Sequence, residues 1–209
     1  MARKKKLRFI GLTGLAGYGK TEVSKILQDK TGFEVVAISD RIKATASAIY
    51  NIDISAFYKG FNAVENFSRE TTIIEPYGLT IRQMMQLVGD TMKDQHGGDF
   101  WIELLKVQMD MAVINDPDIK GFIIEDVRFD NSSKWGMRGS EYHTIKSWGG
   151  SIIHIDASER VGELEVHKSH VSENGVIVLE DDFVLDNNGD VQSLDQQITK
   201  LVKRKRWNQ

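Results

Sequence analysis

Eight residues near the start of the chain, Gly14-Leu15-Ala16-Gly17-Tyr18-Gly19-Lys20-Thr21, follow the pattern G-x-x-x-x-G-K-[ST] in full. The chemistry such a run supports is the handling of a chain of phosphates. Its glycines let main-chain N–H groups turn inward around anionic oxygens, and the N-terminus of a following helix adds partial positive charge. Lys20 would reach the β- and γ-phosphates of ATP, and Thr21 would offer its hydroxyl to Mg²⁺. Gly14, Gly17, Tyr18, Gly19 and Glu22 complete the set expected around the nucleotide. No Asn-Lys-x-Asp sequence follows, so the base-reading motif of a GTPase is missing. Small-molecule kinases and ATPases remain.

A second acid lies at the end of the apolar run Gly121-Phe122-Ile123-Ile124-Glu125-Asp126. Asp126 is expected to act on Mg²⁺ through water, with Arg128 two residues later near developing negative charge. Alone, the two are equally compatible with a surface ion pair; beside a phosphate loop they read as the other half of a transfer site. Phosphoryl transfer depends mostly on positioning and electrostatic stabilisation. A phosphate acceptor has a second pKa of about 6, so at neutral pH it needs no general base. The obstacle is repulsion, roughly 4 kcal/mol for two unit charges at 4 Å and an effective dielectric of 20. Arginines offset it by gripping phosphates with two parallel hydrogen bonds.

Hydrophobic periodicity delineates the elements that must hold these groups. Strands are expected over residues 7–12, 34–38, 121–126, 151–155 and 183–185. Helices are expected over 22–28, 41–50, from Thr80 onward, through Trp101, Leu105 and Met109, then over 141–149 and 191–202. On that pattern Trp101 and the methionines read most simply as core. Strands alternating with helices imply an α/β fold, a parallel sheet covered on both faces. Residues 51–78 mix Phe57, Tyr58, Phe61, Phe67 and Tyr77 with polar residues, as a substrate-handling insertion would. Residues 157–182 are polar and lack periodicity. His167 and His170 within them have no clear third ligand for a metal.

Composition sets outer bounds. With 209 residues, 41% of them hydrophobic, the chain can bury one substantial core and is read as one domain. It has no cysteine, hence no disulfide or thiolate metal site, which fits a reducing compartment. No apolar run approaches the ~20 residues that span a bilayer. The basic N-terminus runs straight into the phosphate loop, unlike a cleaved signal, so a cytoplasmic location without a membrane partner is expected. Basic residues gather at 3–8 and 200–206, where solvated ends are a simpler reading than a nucleic-acid surface, since no aromatics interleave.

Taken in order, the segments resemble the bacteriophage deoxynucleoside monophosphate kinases, a branch of the nucleoside monophosphate kinase fold. After the phosphate loop come Arg41-Ile42-Lys43, Ser68-Arg69-Glu70-Thr71, and the helix Ile81-Arg82-Gln83-Met84-Met85-Gln86-Leu87-Val88-Gly89-Asp90. Then follow Asp99-Phe100-Trp101, Asp126-Val127-Arg128-Phe129, Gly149-Gly150, His170-Val171-Ser172-Glu173 and Asp186-Asn187-Asn188-Gly189. The resemblance implies a three-layer P-loop kinase fold with a monophosphate-binding insertion near 40–95 and a lid near 157–182. It implies ATP and Mg²⁺ as cofactors, a deoxynucleoside monophosphate as acceptor, and the cytoplasm of an infected bacterium as location; a homodimer is left open. Lys20, Arg82 and Arg128 would be catalytic, and Thr21 and Asp126 would hold the metal. Asn187 would serve the donor nucleotide. Lys43, Arg69, Arg82, Trp101, Glu141, His170, Ser172 and Glu173 would serve the substrate. Two departures stand out. Residues 132–140 lengthen the connection between Arg128 and Glu141, with Trp135 and Arg138 open as substrate contacts. Asp156-Ala157 replaces the family's Arg-Pro, leaving Arg160 as a candidate cation. A kinase with another acceptor, such as dephospho-coenzyme A, is the alternative enzyme; a nucleotide-gated nucleic-acid-binding protein is a more distant one.

Overall fold

Side chains along the central strands alternate between two apolar clusters, as the twofold repeat of an extended chain requires. In β1 (Arg8–Thr13), Phe9 enters one cluster while Ile10 and Leu12 enter the other. In β5 (Gly121–Ile124), Phe122 and Ile124 face the first and Ile123 the second. The computed structural model describes residues 7–58, 67–128, 134–136, 140–161 and 178–208. Among them β2 (Glu34–Val36), β6 (Ser151–Asp156) and β7 (Phe183–Asp186) complete a five-stranded sheet ordered β2-β5-β1-β6-β7, parallel throughout.

Helices cover both faces, so the architecture is the expected three-layer α/β sandwich. α1 (Lys20–Thr31) and α7 (Val191–Lys205) pack on the second cluster, through Val23, Leu27, Leu194 and Ile198. α2 (Ile38–Tyr50), α3 (Ile81–His96), α4 (Phe100–Asn115) and α5 (Glu141–Ser147) pack on the first. A short hairpin of β3 (Ile73–Ile74) and β4 (Leu79–Thr80) leads into α3, and a single turn, α6 (Ser158–Val161), follows β6.

Local chemistry fixes where the site-bearing helices begin. Thr80 and Gln83 form a reciprocal cap at the start of α3: the Thr80 hydroxyl accepts from Gln83 N–H at 3.2 Å, and the Gln83 side chain accepts from Thr80 N–H at 2.8 Å. α2 starts at Ile38, three residues before the expected Arg41, and the expected second strand stops correspondingly early at Val36. Its cap comes from far along the chain. The Asp126 carboxylate accepts from the N–H groups of Ile38 at 2.8 Å and Ser39 at 2.9 Å. No helix among the described residues is long and apolar enough to cross a membrane.

Candidate active site

A cavity of about 660 Å³ lies where the phosphate loop, the start of α2, α3 and the residues after β5 converge. Its lining includes Gly17, Gly19, Lys20 and Thr21. Gly19 precedes α1 with φ 90°, a left-handed conformation that an L side chain resists. A Cβ there would also run into the Asn187 amide, and would lie 3.6 Å from the Arg160 guanidinium. Asn187, buried, donates from its amide to the Tyr18 carbonyl at 2.8 Å, so the end of β7 clamps the loop. The Lys20 ammonium rests on the Gly14 and Leu15 carbonyls at 2.7 and 3.0 Å. Gly14, Tyr18 and Glu22 shape the loop without lining the cavity: Tyr18 packs against the second core cluster, and Glu22 is exposed on the first turn of α1.

Two adjacent acids also line the cavity. Glu125, Asp126 and Arg128 line it together. Both Asp126 oxygens already cap α2, yet a carboxylate offers about four acceptor positions, so room for further donors or a cation persists. Glu125 accepts from the Ser24 hydroxyl at 3.0 Å, and burial raises its pKa above the ordinary carboxylate value. Thr21, Glu125 and Asp126 supply the hard oxygen donors that Mg²⁺ prefers, and the remainder of its shell would come from phosphate and water. The described residues contain no closed metal cage of three or more acids or histidines.

Cationic side chains line the cavity as well: Lys43, Arg69 and Arg82. Each is steered by a neighbour. Lys43 pairs with Asp40 at 2.8 Å and stands 4.3 Å from the centre of the Tyr58 ring. Arg69 donates to the Phe57 carbonyl at 2.7 Å and lies 3.4 Å from Glu70, while Arg82 lies 3.9 Å from the same carboxylate. Of the aromatic candidates, Tyr58 reaches the cavity. Tyr77 stays outside, its hydroxyl donating to the Tyr50 carbonyl at 2.6 Å.

Trp101 is a correction. It does not line the cavity; it is 2% exposed beneath α3, with its indole N–H on the Gly89 carbonyl at 2.9 Å. The core reading from periodicity is the one its position supports, because an indole buried with its single donor satisfied has no face left for a substrate. Glu141 does line the cavity, but as a buried carboxylate paired with Lys93 at 3.4 Å. Lys93, Asp90, Gln86 and Glu125 are lining residues that sequence reasoning missed. Spacing from Arg82 would have found the first three, since 82, 86, 90 and 93 fall on one helical face. His167, His170, Ser172 and Glu173, together with Phe61, Arg138 and residues 3–6, lie outside the described residues. The basic C-terminus is described: Lys203, Arg204 and Lys205 end α7, where cations favour the helix dipole, and Lys205 stands 4.5 Å from the centre of the Phe183 ring.

A sequence profile of the family described as deoxynucleotide monophosphate kinase matches residues 51–198. The match covers more than half of the chain, takes in Arg69, Arg82, Asp126, Arg128 and Glu141, and begins after the phosphate loop. No curated protein sequence matches significantly. Among solved structures, dephospho-CoA kinase from Campylobacter jejuni aligns over 94% of this chain and 96% of its own, at 13% identity and a TM-score of 0.45. TT1252 from Thermus thermophilus aligns over 96% and 98%, at 16% identity and 0.46. A gluconokinase from Sinorhizobium meliloti 1021 aligns over 98% of both, at 8% identity and 0.41. Overlaps this loose say nothing of substrate. The extent of the profile match is decisive: the chain belongs to the deoxynucleotide monophosphate kinase family, and the loop ahead of the matched span makes it a P-loop nucleotide kinase.

Proposed function

We propose that the protein moves the γ-phosphoryl group of ATP onto the phosphate of a deoxynucleoside monophosphate, yielding ADP and the diphosphate. One observation carries this reading: a single cavity is lined both by the phosphate loop and by Lys43, Arg69, Arg82 and Arg128. That arrangement suits two anionic nucleotides placed phosphate to phosphate. Residues 40–95 then serve as the monophosphate-binding insertion of a single kinase domain, and 157–182 as its lid.

In this reading an oxygen of the acceptor phosphate attacks the γ-phosphorus, the bond to the β–γ bridging oxygen breaks, and ADP departs. The acceptor is ionised beforehand, with a second pKa of about 6, so no residue removes a proton. Lys20 leaves its carbonyl partners for the β- and γ-oxygens, and Arg128 neutralises charge on the group in transit. Arg82, Arg69 and Lys43 exchange their carboxylate neighbours for the acceptor phosphate, which fixes it in line. Arg160, beside Gly19, adds positive charge on the donor side. Thr21 and Asp126 would hold Mg²⁺, which supplies further charge neutralisation on the phosphates.

The deciding experiment is ATP consumption, by coupled ADP release, with dTMP, dGMP, dCMP, dAMP, their ribose counterparts and dephospho-coenzyme A. Turnover should depend on a deoxynucleoside monophosphate. Lys20→Met should lower it by about two to three orders of magnitude, the scale of losing a preorganised charge at the transferring group, without changing the melting temperature. Activity on dephospho-coenzyme A alone would replace the substrate assignment. Salt-sensitive nucleic-acid binding without acceptor-dependent turnover would replace the enzyme reading altogether.

A further inference from the structure

Lys93 and Glu141 form a buried ion pair at the cavity wall, each side chain 4% exposed. Burial pushes the Lys93 pKa down and the Glu141 pKa up, so the surroundings favour the charge of neither. Two apolar side chains would fill such a place at no greater cost. What an apolar pair could not do is hold main chain. The second Glu141 oxygen accepts the Arg128 N–H at 2.7 Å. One residue earlier, Val127 N–H donates to the Leu12 carbonyl of β1 at 3.0 Å. The backbone that carries Arg128 is therefore pinned to the sheet on one side and to Glu141 on the other.

The lengthened connection between Arg128 and α5 contributes to the same spot. The Trp135 ring centre lies 4.7 Å from the Lys93 ammonium, within cation–π range. Its indole N–H donates to Asp94 at 2.8 Å, and the same carboxylate takes Lys134 at 3.2 Å. Residues 134 and 135 thus dock back on α3, with the tryptophan laid over Lys93.

We propose that Glu141, Lys93 and Trp135 are a positioning unit for Arg128: Glu141 fixes the arginine's main chain, Lys93 fixes Glu141, and Trp135 closes over Lys93. The unit rests on the reading of Arg128 as a cation at the transferring group. It assigns a purpose to the extra residues of the connection, and it makes Glu141 and Lys93 supports rather than substrate contacts. Misplacing a reacting or stabilising group by ~1 Å can cost about 100-fold in rate, which gives such supports a measurable effect.

Two double variants separate positioning from stability. K93M/E141Q has no buried charge yet keeps a side-chain oxygen for the Arg128 N–H; K93M/E141L has no such acceptor. The first should lose about tenfold in kcat, because an acceptor for the Arg128 N–H remains but its Lys93 partner does not, while the second should lose about 100-fold with the KM for ATP unchanged. Equal kcat in the two overturns the proposal. So does equal loss in both, which would mean that Lys93 acts on substrate directly. Should K93M/E141L fail to fold, W135A decides the matter in two backgrounds. It should lower kcat about tenfold in the parent and not at all in R128A, because an effect exerted through Arg128 vanishes with it. The same factor in both backgrounds overturns the proposal. An R128A enzyme with undiminished kcat would remove the reading of Arg128 itself, and the positioning unit with it.

Discussion

Gly19 combines a left-handed backbone with an absent side chain whose place is taken by the Asn187 amide, so alanine there meets two penalties at once. The backbone alone costs roughly 1–2 kcal/mol. Moving Asn187 would release the Tyr18 carbonyl and with it the shape of the loop. Gly19→Ala should therefore lower the melting temperature and raise the KM for ATP together, measured by thermal unfolding and by ADP release; a change in neither would mean the loop tolerates a Cβ by a shift elsewhere. The loop's identity was fully legible in eight residues because its chemistry is local. Trp101 shows the opposite case. Periodicity placed it in the core and resemblance placed it at the substrate, and only packing beneath Gly89 separates the two. The burial of Lys93 was illegible for a related reason, although its place on the cavity face of α3 was not: nothing in its own helix marks a lysine as buried when the partner that justifies burial stands 48 residues away.

Among the elements, α6 has the least to hold it, being one turn long. Asn188 supplies what the turn lacks. Its side-chain oxygen accepts from the N–H groups of Glu159 at 2.8 Å and Arg160 at 3.2 Å, while its own N–H and amide donate to Asp186 at 2.9 and 2.8 Å. Adjacent asparagines thus serve two elements, Asn187 the phosphate loop and Asn188 the turn that presents Arg160 beside it. Asn188→Ala should raise the KM for ATP by roughly tenfold, the loss of about one charge-assisted hydrogen bond, and Arg160→Ala should raise it by at least as much. If Asn188→Ala changes ATP binding while Arg160→Ala does not, the turn matters for another reason. The five strands of the main sheet and the longer helices were otherwise readable from periodicity, with errors at the ends, while β3, β4 and α6 are too short to show a period. α2 shows why: Asp126 caps it from across the fold, and no residue near Ile38 announces the cap.

At the scale of the molecule, Asp182 ties the chain entering β7 to α5 and β6. Its carboxylate accepts from the Tyr142 hydroxyl at 3.0 Å, from Lys146 at 3.0 Å and from the Leu179 N–H at 3.0 Å, and contacts His154 at 3.0 Å. Burial works to raise its pKa, but the Leu179 N–H, His154, Lys146 and Tyr142 outweigh it and hold the pKa below the ordinary 3.8. The same burial and the same carboxylate push the Tyr142 hydroxyl up to about 12. A carboxylate with a depressed folded pKa stabilises the protein fully above its unfolded value and loses that contribution as pH falls through the folded one. Asp182→Asn should accordingly melt lower than the parent by a constant margin at neutral and mildly acidic pH. The margin should narrow once the pH drops below about 4, the unfolded carboxylate value. A margin that widens on acidification would contradict the sign.

The order of the sheet carries one more consequence. β1 and β5 are neighbours, so the loop that follows one and the Asp126–Arg128 run that follows the other leave the sheet side by side, about 4.8 Å apart. The bond from Val127 to Leu12 laces the two exits together. The gauge between the phosphate loop and the Asp126–Arg128 run is thus a single rung of backbone ladder, a length no side chain sets.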